Sequence, residues 1–521
     1  MANDFVTCNM NRRQFICRTL LTISLAALLL APTAGLLAAE ALGVKPPNII
    51  LILVDDMPWY GTDVRMNPSL PGSAMAFRHM PNVEKLAAQG MTFQHAYSGA
   101  GMCAPSRCSL QTGMTAAHHL YSGNGGFGPK TDGQVTYMHR QEDLKRPLLC
   151  PEPQGNLRFP SIGDVLRAGG YATAHFGKWH LYGGGPAKHG YDFSDGETDN
   201  KTFRPAIDPQ TGKKMDTVAD PKMMFSITAR GIHFMESAVA EHKPFFLQLS
   251  HYATHAAYQC RPATLAKVEK DPVFQKAKSL RPRELHDSQV CAAMCEDLDD
   301  AIGQVLQKVD ELGIAGNTYV IFNADNGYKA WNEGYDPLRG GKWWEWEGGI
   351  CVPLIVRGPF VPARTYCDVN VVNYDFLPTF ADLAGDTSQV PKAVDGVSFK
   401  PLLFGQPVPD SFINRPLFFH YPHYRVSPPV SAIIIGQWKL LHYYEWPNEE
   451  FLYNLSTDLG EKNNLFSQQP EKATAMWAQL QNQIKSVGGY FPKPNPNADP
   501  KVKFTYNPNV LADQGEGGAD D

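Results

Sequence analysis

The sequence predicts an α/β protein built on a mostly parallel sheet flanked by helices, with a smaller C-terminal unit of sheet and helix. Three observations predict it. Short apolar runs lead directly into charged or imidazole residues, helical segments separate those runs, and 45 glycines and 41 prolines among 521 residues supply the turns between them. With 43% hydrophobic residues the chain can bury more core than one average domain, so one large domain plus a smaller one is expected.

Residues 1–40 read as an export signal rather than as part of the fold. Asn11-Arg12-Arg13-Gln14-Phe15-Ile16 precedes an uncharged run from Thr19 to Ala39, which ends in small residues suited to cleavage. The paired arginines look like a twin-arginine signal, a route that carries already folded proteins. An uncleaved anchor is the competing reading, since the run is nearly long enough to span a bilayer, but Pro32, Gly35 and the terminal alanines favour cleavage. The mature chain is then expected in the periplasm or outside a bacterial-type cell, without stable membrane association. Loss of Arg12, Arg13, Arg18 and Asp4 moves the net charge from -5 to about -7, which argues against a nucleic-acid partner. Eight cysteines remain, too few for a disulfide-built scaffold of this size.

Four apolar runs read as buried parallel strands. Asn48 to Val54 ends in Asp55-Asp56, and Tyr171 to Phe176 leads into Gly177-Lys178-Trp179-His180. Pro244 to Ser250 runs into His251-Tyr252-Ala253-Thr254-His255, and Thr318 to Asn323 ends near Asp325-Asn326-Gly327. Helices are expected over Met80 to Gly90, Ser161 to Ala168, Ser226 to Glu241 and Glu284 to Leu312. Cys291 and Cys295 lie on the last of these and, with no second pair of ligands, read as packing residues and not as a zinc site. Ligands of open α/β sheets bind outside the carboxyl ends of the strands, so four chemistry-bearing ends predict one polar site. Asp55, Asp56, Asp325 and Asn326 are hard oxygen donors, suited to Ca²⁺, with Mg²⁺ as the second choice. An Asp-Asp turn or helix cap is the plainer reading of the first pair. Lys178 and His180, two apart, face one side if extended geometry persists. His251 reads as a satisfied packing histidine.

Cys103-Ala104-Pro105-Ser106-Arg107 resembles the maturation signal of the type I, formylglycine-dependent sulfatases, arylsulfatase-like members of the alkaline phosphatase superfamily. Gly101, Met102, Leu110, Thr112 and Gly113 stand at that family's spacing, while Gln111 replaces a usual apolar residue. Pro105 also suits the first turn of a helix, whose unpaired N–H groups would face an anion. Leu338-Arg339-Gly340-Gly341-Lys342 with Glu347-Gly348-Gly349-Ile350 is similar to the sulfate-binding segment of the same family. Departures are Trp343-Trp344-Glu345-Trp346 between lysine and glutamate, Cys351 in place of a frequent arginine, and Ala256-Ala257 in place of a proline after His255. The tryptophans read equally as core or as a sugar-facing rim. His420-Tyr421-Pro422-His423-Tyr424 reads equally as a sugar subsite or a turn.

The resemblance implies a large mixed, mostly parallel alkaline-phosphatase-like core, a smaller antiparallel C-terminal sheet with a helix, and hydrolysis of a sulfate monoester, most plausibly on sulfated carbohydrate. It implies that Cys103 is oxidised to formylglycine by a formylglycine-generating enzyme, which is thereby a partner in maturation. Asp55, Asp56, Asp325 and Asn326 would hold one cation, usually calcium, that also touches the matured residue 103. Arg107, Lys178 and Lys342 would stabilise charge on that residue and on the sulfate, His255 with Lys342 would protonate the leaving group, and His180 would remove a proton afterwards. Boundaries are expected at 45–405 for the catalytic domain and 406–489 for the C-terminal subdomain, with 490–521 a poorly ordered tail. Two other functions fit the residues: a phosphonate or phosphate monoester hydrolase of the same superfamily, and an inactive exported glycan-binding protein.

Overall fold

The computed structural model describes residues 45–502 except 124–144, 151–156, 158, 201–211, 215, 277–281, 329–336, 425 and 446–449. The export signal and most of the tail therefore lie outside the described residues. Among those described, no helix is long and apolar enough to cross a membrane.

The main sheet has eight strands: β1 (Asn48–Val54), β2 (Met91–Phe93), β3 (Ala172–Gly177), β4 (Phe193–Ser194), β5 (Phe245–Ser250), β6 (Thr318–Ala324), β7 (Leu354–Arg357) and β8 (Thr365–Cys367). Their spatial order is β8-β2-β7-β6-β1-β5-β3-β4. Only β7 runs against its neighbours; the other pairings are parallel. The central strand β1 shows why the sequence folds this way. All seven of its residues are buried, and alternate side chains enter two different cores. Ile50, Ile52 and Val54 join the core that includes α1 (Pro81–Ala88), α4 (Met224–Ala240) and α5 (Pro282–Glu311). Ile49, Leu51 and Leu53 join the core that includes α2 (Cys103–Thr112), α3 (Ile162–Ala168) and α6 (Phe376–Ala384). A strand covered on both faces needs a continuous apolar run, and Ile49 to Val54 supplies it, while Asn48 at the strand's start donates its side-chain amide to Thr318 Oγ1 at 3.1 Å.

The C-terminal unit is an antiparallel sheet, β9 (Leu417–Tyr421), β10 (Val430–Ile435), β11 (Trp438–Tyr443) and β12 (Glu450–Asn454), packed against α7 (Pro470–Ser486). The stretch expected to be unordered after residue 490 begins with ordered chain. Lys493–Pro494 pairs with Leu148–Leu149, and Asn495 donates its side-chain amide to the Arg146 carbonyl at 2.8 Å, so backbone pairing anchors a segment whose composition alone reads as loose. Cys291 and Cys295 are buried on α5, and Cys291 Sγ receives Arg78 Nη2 at 3.6 Å.

Candidate active site

Backbone hydrogen bonds carry the sheet past its strand ends and so set the site. The Asp325 N–H donates to the Val54 carbonyl at 3.0 Å, the Asp55 N–H to Ala253 at 2.8 Å, the His251 N–H to Leu53 at 2.9 Å and the Lys178 N–H to Ser250 at 2.8 Å. Four loops are thereby stitched edge to edge directly above β3, β5, β1 and β6. Cys103 joins them as the first residue of α2, a wholly buried helix, with its Sγ 3.5 Å from Asp56 Oδ1.

Three cations face three carboxylates, and Arg107 Nη2 is shared, lying 3.6 Å from Asp55 Oδ1 as well as close to Asp325. Lys178 Nζ lies 2.6 Å from Asp55 Oδ2, Lys342 Nζ 2.8 Å from Asp56 Oδ2, and Arg107 Nη2 2.8 Å from Asp325 Oδ2. All six are buried, and an unpaired buried ion would cost several kcal/mol, so equal numbers of cations and carboxylates let the site exist at all. Arg107 also donates Nη1 to the Lys178 carbonyl at 2.7 Å, which ties α2 to the loop after β3. Asp56 is the hub. Its Oδ1 accepts from Asn326 Nδ2 at 2.7 Å and lies 3.5 Å from Cys103 Sγ, while His255 Nε2 is 3.6 Å from Oδ2. Asp56 has φ 57, a left-handed conformation that Asp tolerates better than most residues.

The donor set fits a hard cation. One ligand atom from each of Asp55, Asp56, Cys103 and Asp325 lies within 4.8 Å of the others. Asn326 Oδ1 is buried with no hydrogen-bond donor, an arrangement costing roughly 1–3 kcal/mol unless something satisfies it, and Asp55 Oδ1 has only the Arg107 guanidinium at 3.6 Å. Oxygen donors with spare lone pairs match Ca²⁺ or Mg²⁺.

Titration follows from burial and neighbours. Burial raises Asp55, but Lys178, His255 and Arg107 outweigh it and hold the carboxyl well below its ordinary range. Burial likewise raises Asp56, and Lys342 and His255 outweigh it. Asp325 is pushed up to about 7, because burial and Asp55 outweigh Arg107. Burial lifts the Cys103 thiol well above its usual value despite Lys178 and Lys342, so the sulfur is held as a thiol, not as the nucleophilic thiolate. Burial, helped by Lys342, brings His255 down to about 4, and burial with Lys178 and Arg107 depresses His180. Both imidazoles are neutral near pH 7. His180 has φ 57 and its N–H donates to the Thr198 carbonyl at 2.7 Å, while its Nδ1 is buried without a partner. All the side chains expected at this site are thus brought to one sheet edge.

Several expectations need correction or completion. His251 is buried, but neither ring nitrogen has a hydrogen-bond partner, so it packs without being satisfied; burial moves it down to about 4 and keeps it neutral. Gln111 replaces an apolar residue because it is paired. Its Nε2 donates to Gln248 Oε1 at 2.8 Å and its Oε1 accepts from Tyr191 at 2.9 Å. Trp344 and Trp346 are core; Trp343 is only partly buried. His420 is structural, with one ring nitrogen on Ser431 Oγ and the other on the Tyr490 carbonyl, both at 2.7 Å.

A buried network escaped sequence reasoning. Lys439 Nζ on β11 reaches Glu347 Oε1 at 2.8 Å and Glu461 Oε1 at 2.9 Å, and the Glu347 N–H donates to Glu461 Oε2 at 2.7 Å. It anchors the segment carrying Lys342 to the C-terminal sheet. The only signal was Lys439 inside an apolar strand, where a lysine needs a carboxylate. Glu345, in the same segment, accepts from the Gly101 N–H at 3.3 Å. Gly101 has to be glycine: a Cβ there would stand 2.3 Å from the Trp344 carbonyl oxygen.

Burial pushes both Glu345 and Glu461 up to about 7. Their folded values exceed the unfolded one, so these two groups bind more protons in the folded state between about pH 4.5 and 7, and the stability they contribute falls as pH rises through that window. Glu345→Gln removes one of the two contributions and is expected to flatten the slope of unfolding free energy by up to about 1.4 kcal/mol per pH unit. Denaturant titrations at several pH values check this; an unchanged slope would contradict it.

A buried edge of parallel strands, with fixed cations matched to carboxylates, marks the class of enzymes that bind and cleave anionic esters. Comparison with known proteins gives the family. The sulfatase family matches residues 47–386, and the C-terminal region of N-sulphoglucosamine sulphohydrolase matches 341–488. The chain belongs to the sulfatase family, and its reaction is hydrolysis of sulfate esters. It is 28% identical to a sulfatase of Formosa agariphila, over 87% of this chain and 90% of that one. It is 29% identical to N-acetylgalactosamine-6-sulfatase of Mus musculus, over 84% and 79%, and 27% identical to arylsulfatase A of Homo sapiens, over 84% and 86%. Among solved structures, Ps i-CgsB in complex with k-i-k-neocarrahexaose superposes with a TM-score of 0.64 at 24% identity, covering 84% of this chain and 93% of that one. The PsFucS1 sulfatase from Pseudoalteromonas sp. gives 0.62 at 20% identity, covering 88% and 95%. Both likenesses show the alkaline-phosphatase-like fold.

Proposed function

We propose that this protein hydrolyses sulfate monoesters of carbohydrate, with Cys103 matured to formylglycine and one divalent cation, calcium in the first instance, held by Asp55, Asp56, Asp325 and Asn326. The observation that carries the reading is the placement of Cys103: a buried thiol at the first residue of a helix, 3.5 Å from Asp56, where an unmodified cysteine has no thiolate to use. The sugar part rests on similarity to a GalNAc-6-sulfatase. When present, formylglycine supplies a hydrated-aldehyde oxygen as nucleophile and the cation supplies a Lewis acid.

This chain's own residues do the rest. Arg107, Lys178 and Lys342 offer fixed positive charge to the sulfate oxygens in a site that excludes water, where such interactions are strongest. Burial opposes charge on Lys342, but Asp56 outweighs it and holds the ammonium protonated, so the proton is there for a leaving alkoxide that is a stronger base than the amine. His255 Nδ1 contacts the Ala256 carbonyl and therefore carries the hydrogen, which leaves Nε2 as an acceptor in the neutral ring. It assists Lys342 only after gaining a proton itself. His180, neutral and with Nδ1 unpartnered, is fitted to accept a proton.

Removal of divalent cations with EDTA is expected to lower sulfate release at least about 100-fold, with recovery on adding Ca²⁺. Asn326→Ala deletes the unpartnered oxygen and should weaken calcium binding about tenfold, measured by calorimetry. Full activity in EDTA would contradict the cation. Turnover of phosphate or phosphonate esters faster than sulfate esters would favour the related hydrolase reading instead.

A further inference from the structure

We infer that Trp343 is a substrate platform: its indole, fixed beside Lys342, receives the apolar face of the sugar ring that bears the sulfate. The inference rests on the carbohydrate reading above and adds to it the residue that meets the organic part of the ester. Trp343 has φ 75, a left-handed conformation that glycine adopts freely and a tryptophan does not. The strain is held in place from both sides. The Trp343 N–H donates to the Gly101 carbonyl at 2.6 Å and the Lys342 N–H to the Tyr328 carbonyl at 2.8 Å, so the main chain at Trp343 is tied to backbone two residues from Cys103. Non-glycine residues kept in such conformations cluster at ligand clamps.

Its neighbours do not share this position. Trp344 and Trp346 are each 2% exposed, and Trp346 stacks under Arg339, whose guanidinium carbon is 3.7 Å from the ring centroid; Trp343 packs against the same core but keeps part of its surface exposed. Lys342 Nζ lies 5.3 Å from the Trp343 ring centroid and 2.8 Å from Asp56 Oδ2. A sulfate held by that ammonium therefore places its alcohol part within reach of the indole. A pyranose has one face of C–H groups and a rim of hydroxyls, which matches a large, uncharged aromatic surface.

The test uses full-length protein co-expressed with a formylglycine-generating enzyme, on N-acetylgalactosamine 6-sulfate, glucosamine 6-sulfate and carrageenan oligosaccharides, with inorganic sulfate as a ring-free competitor. For the best of these substrates, Trp343→Ala should raise KM roughly 3- to 10-fold while kcat and the inhibition constant of inorganic sulfate change less than about twofold. Trp343→Phe should restore most of the loss. An unchanged KM would overturn the inference, as would a parallel rise in the sulfate inhibition constant, which would mean that Trp343 acts only by holding Lys342. If the wild type releases sulfate from none of them, the functional reading fails. The platform is then judged by calorimetry of the same sugars on Cys103→Ala protein with and without Trp343→Ala, where equal affinity would overturn it.

Discussion

Cys103→Ala is expected to reduce sulfate release by at least about four orders of magnitude, the scale seen when a covalent nucleophile is removed. Fold is not the reason. Alanine has high helix propensity, the side chain shrinks by one sulfur, and the six paired charges around it do not depend on the thiol, so the loss in stability should stay near 1 kcal/mol. Dependence of catalysis on a residue whose own thiol is pushed out of its reactive range is what separates a matured cysteine from an ordinary nucleophile. Sulfate release and thermal unfolding, measured side by side, check the two halves. An active Cys103→Ala enzyme would remove residue 103 from the chemistry.

Lys439→Met should destabilise the protein by about 3–5 kcal/mol, the cost of breaking a buried ion pair from one side. Lys439 is buried with Glu347 and Glu461, and the methionine would leave both carboxylates without their cation. Burial has already raised Glu461 to about 7, so one lysine facing two glutamates is close to balanced at neutral pH, and removing it is not. The triple variant Lys439→Met, Glu347→Gln, Glu461→Gln should recover most of the loss, because no charge remains unpaired. Denaturant unfolding distinguishes these outcomes; a Lys439→Met protein within about 1 kcal/mol of wild type would contradict the network's role. Because Glu347 closes the segment that begins at Lys342, the same variant should also lower activity.

What could be read from the chain depended on how local the cause was. Asn48 to Val54 was legible to the residue because both faces of β1 are covered, which makes the run from Ile49 to Val54 continuously apolar. The strands Met91–Phe93, Leu354–Arg357 and Thr365–Cys367 were not, since three or four residues are too few to show a period and their pairing partners lie far away in sequence. The site was legible through a different route: a charged residue following a buried strand stands at the sheet edge wherever the strand is placed, so Asp55, Lys178, His255 and Asp325 converge once the order of strands is known. Lys342 and Cys103 needed the family resemblance, because a loop delivers the first and the start of a helix the second, and neither follows a buried strand. Trp343 was left between core and sugar-facing rim, and Lys439 carried no sequence signal beyond its place in an apolar strand. Nothing in local sequence says that one tryptophan of three stays partly open, or that a strand lysine meets two glutamates from distant segments.

The most direct measurement of the central claim is mass spectrometry of the peptide containing residue 103, from protein made with a formylglycine-generating enzyme, alongside sulfate release by the same preparation. Formylglycine-dependent hydrolysis at this site predicts the mass in which the thiol carbon has become an aldehyde, with sulfate release proportional to the converted fraction across preparations. Full sulfate release from a preparation whose residue 103 is entirely unmodified cysteine would contradict it.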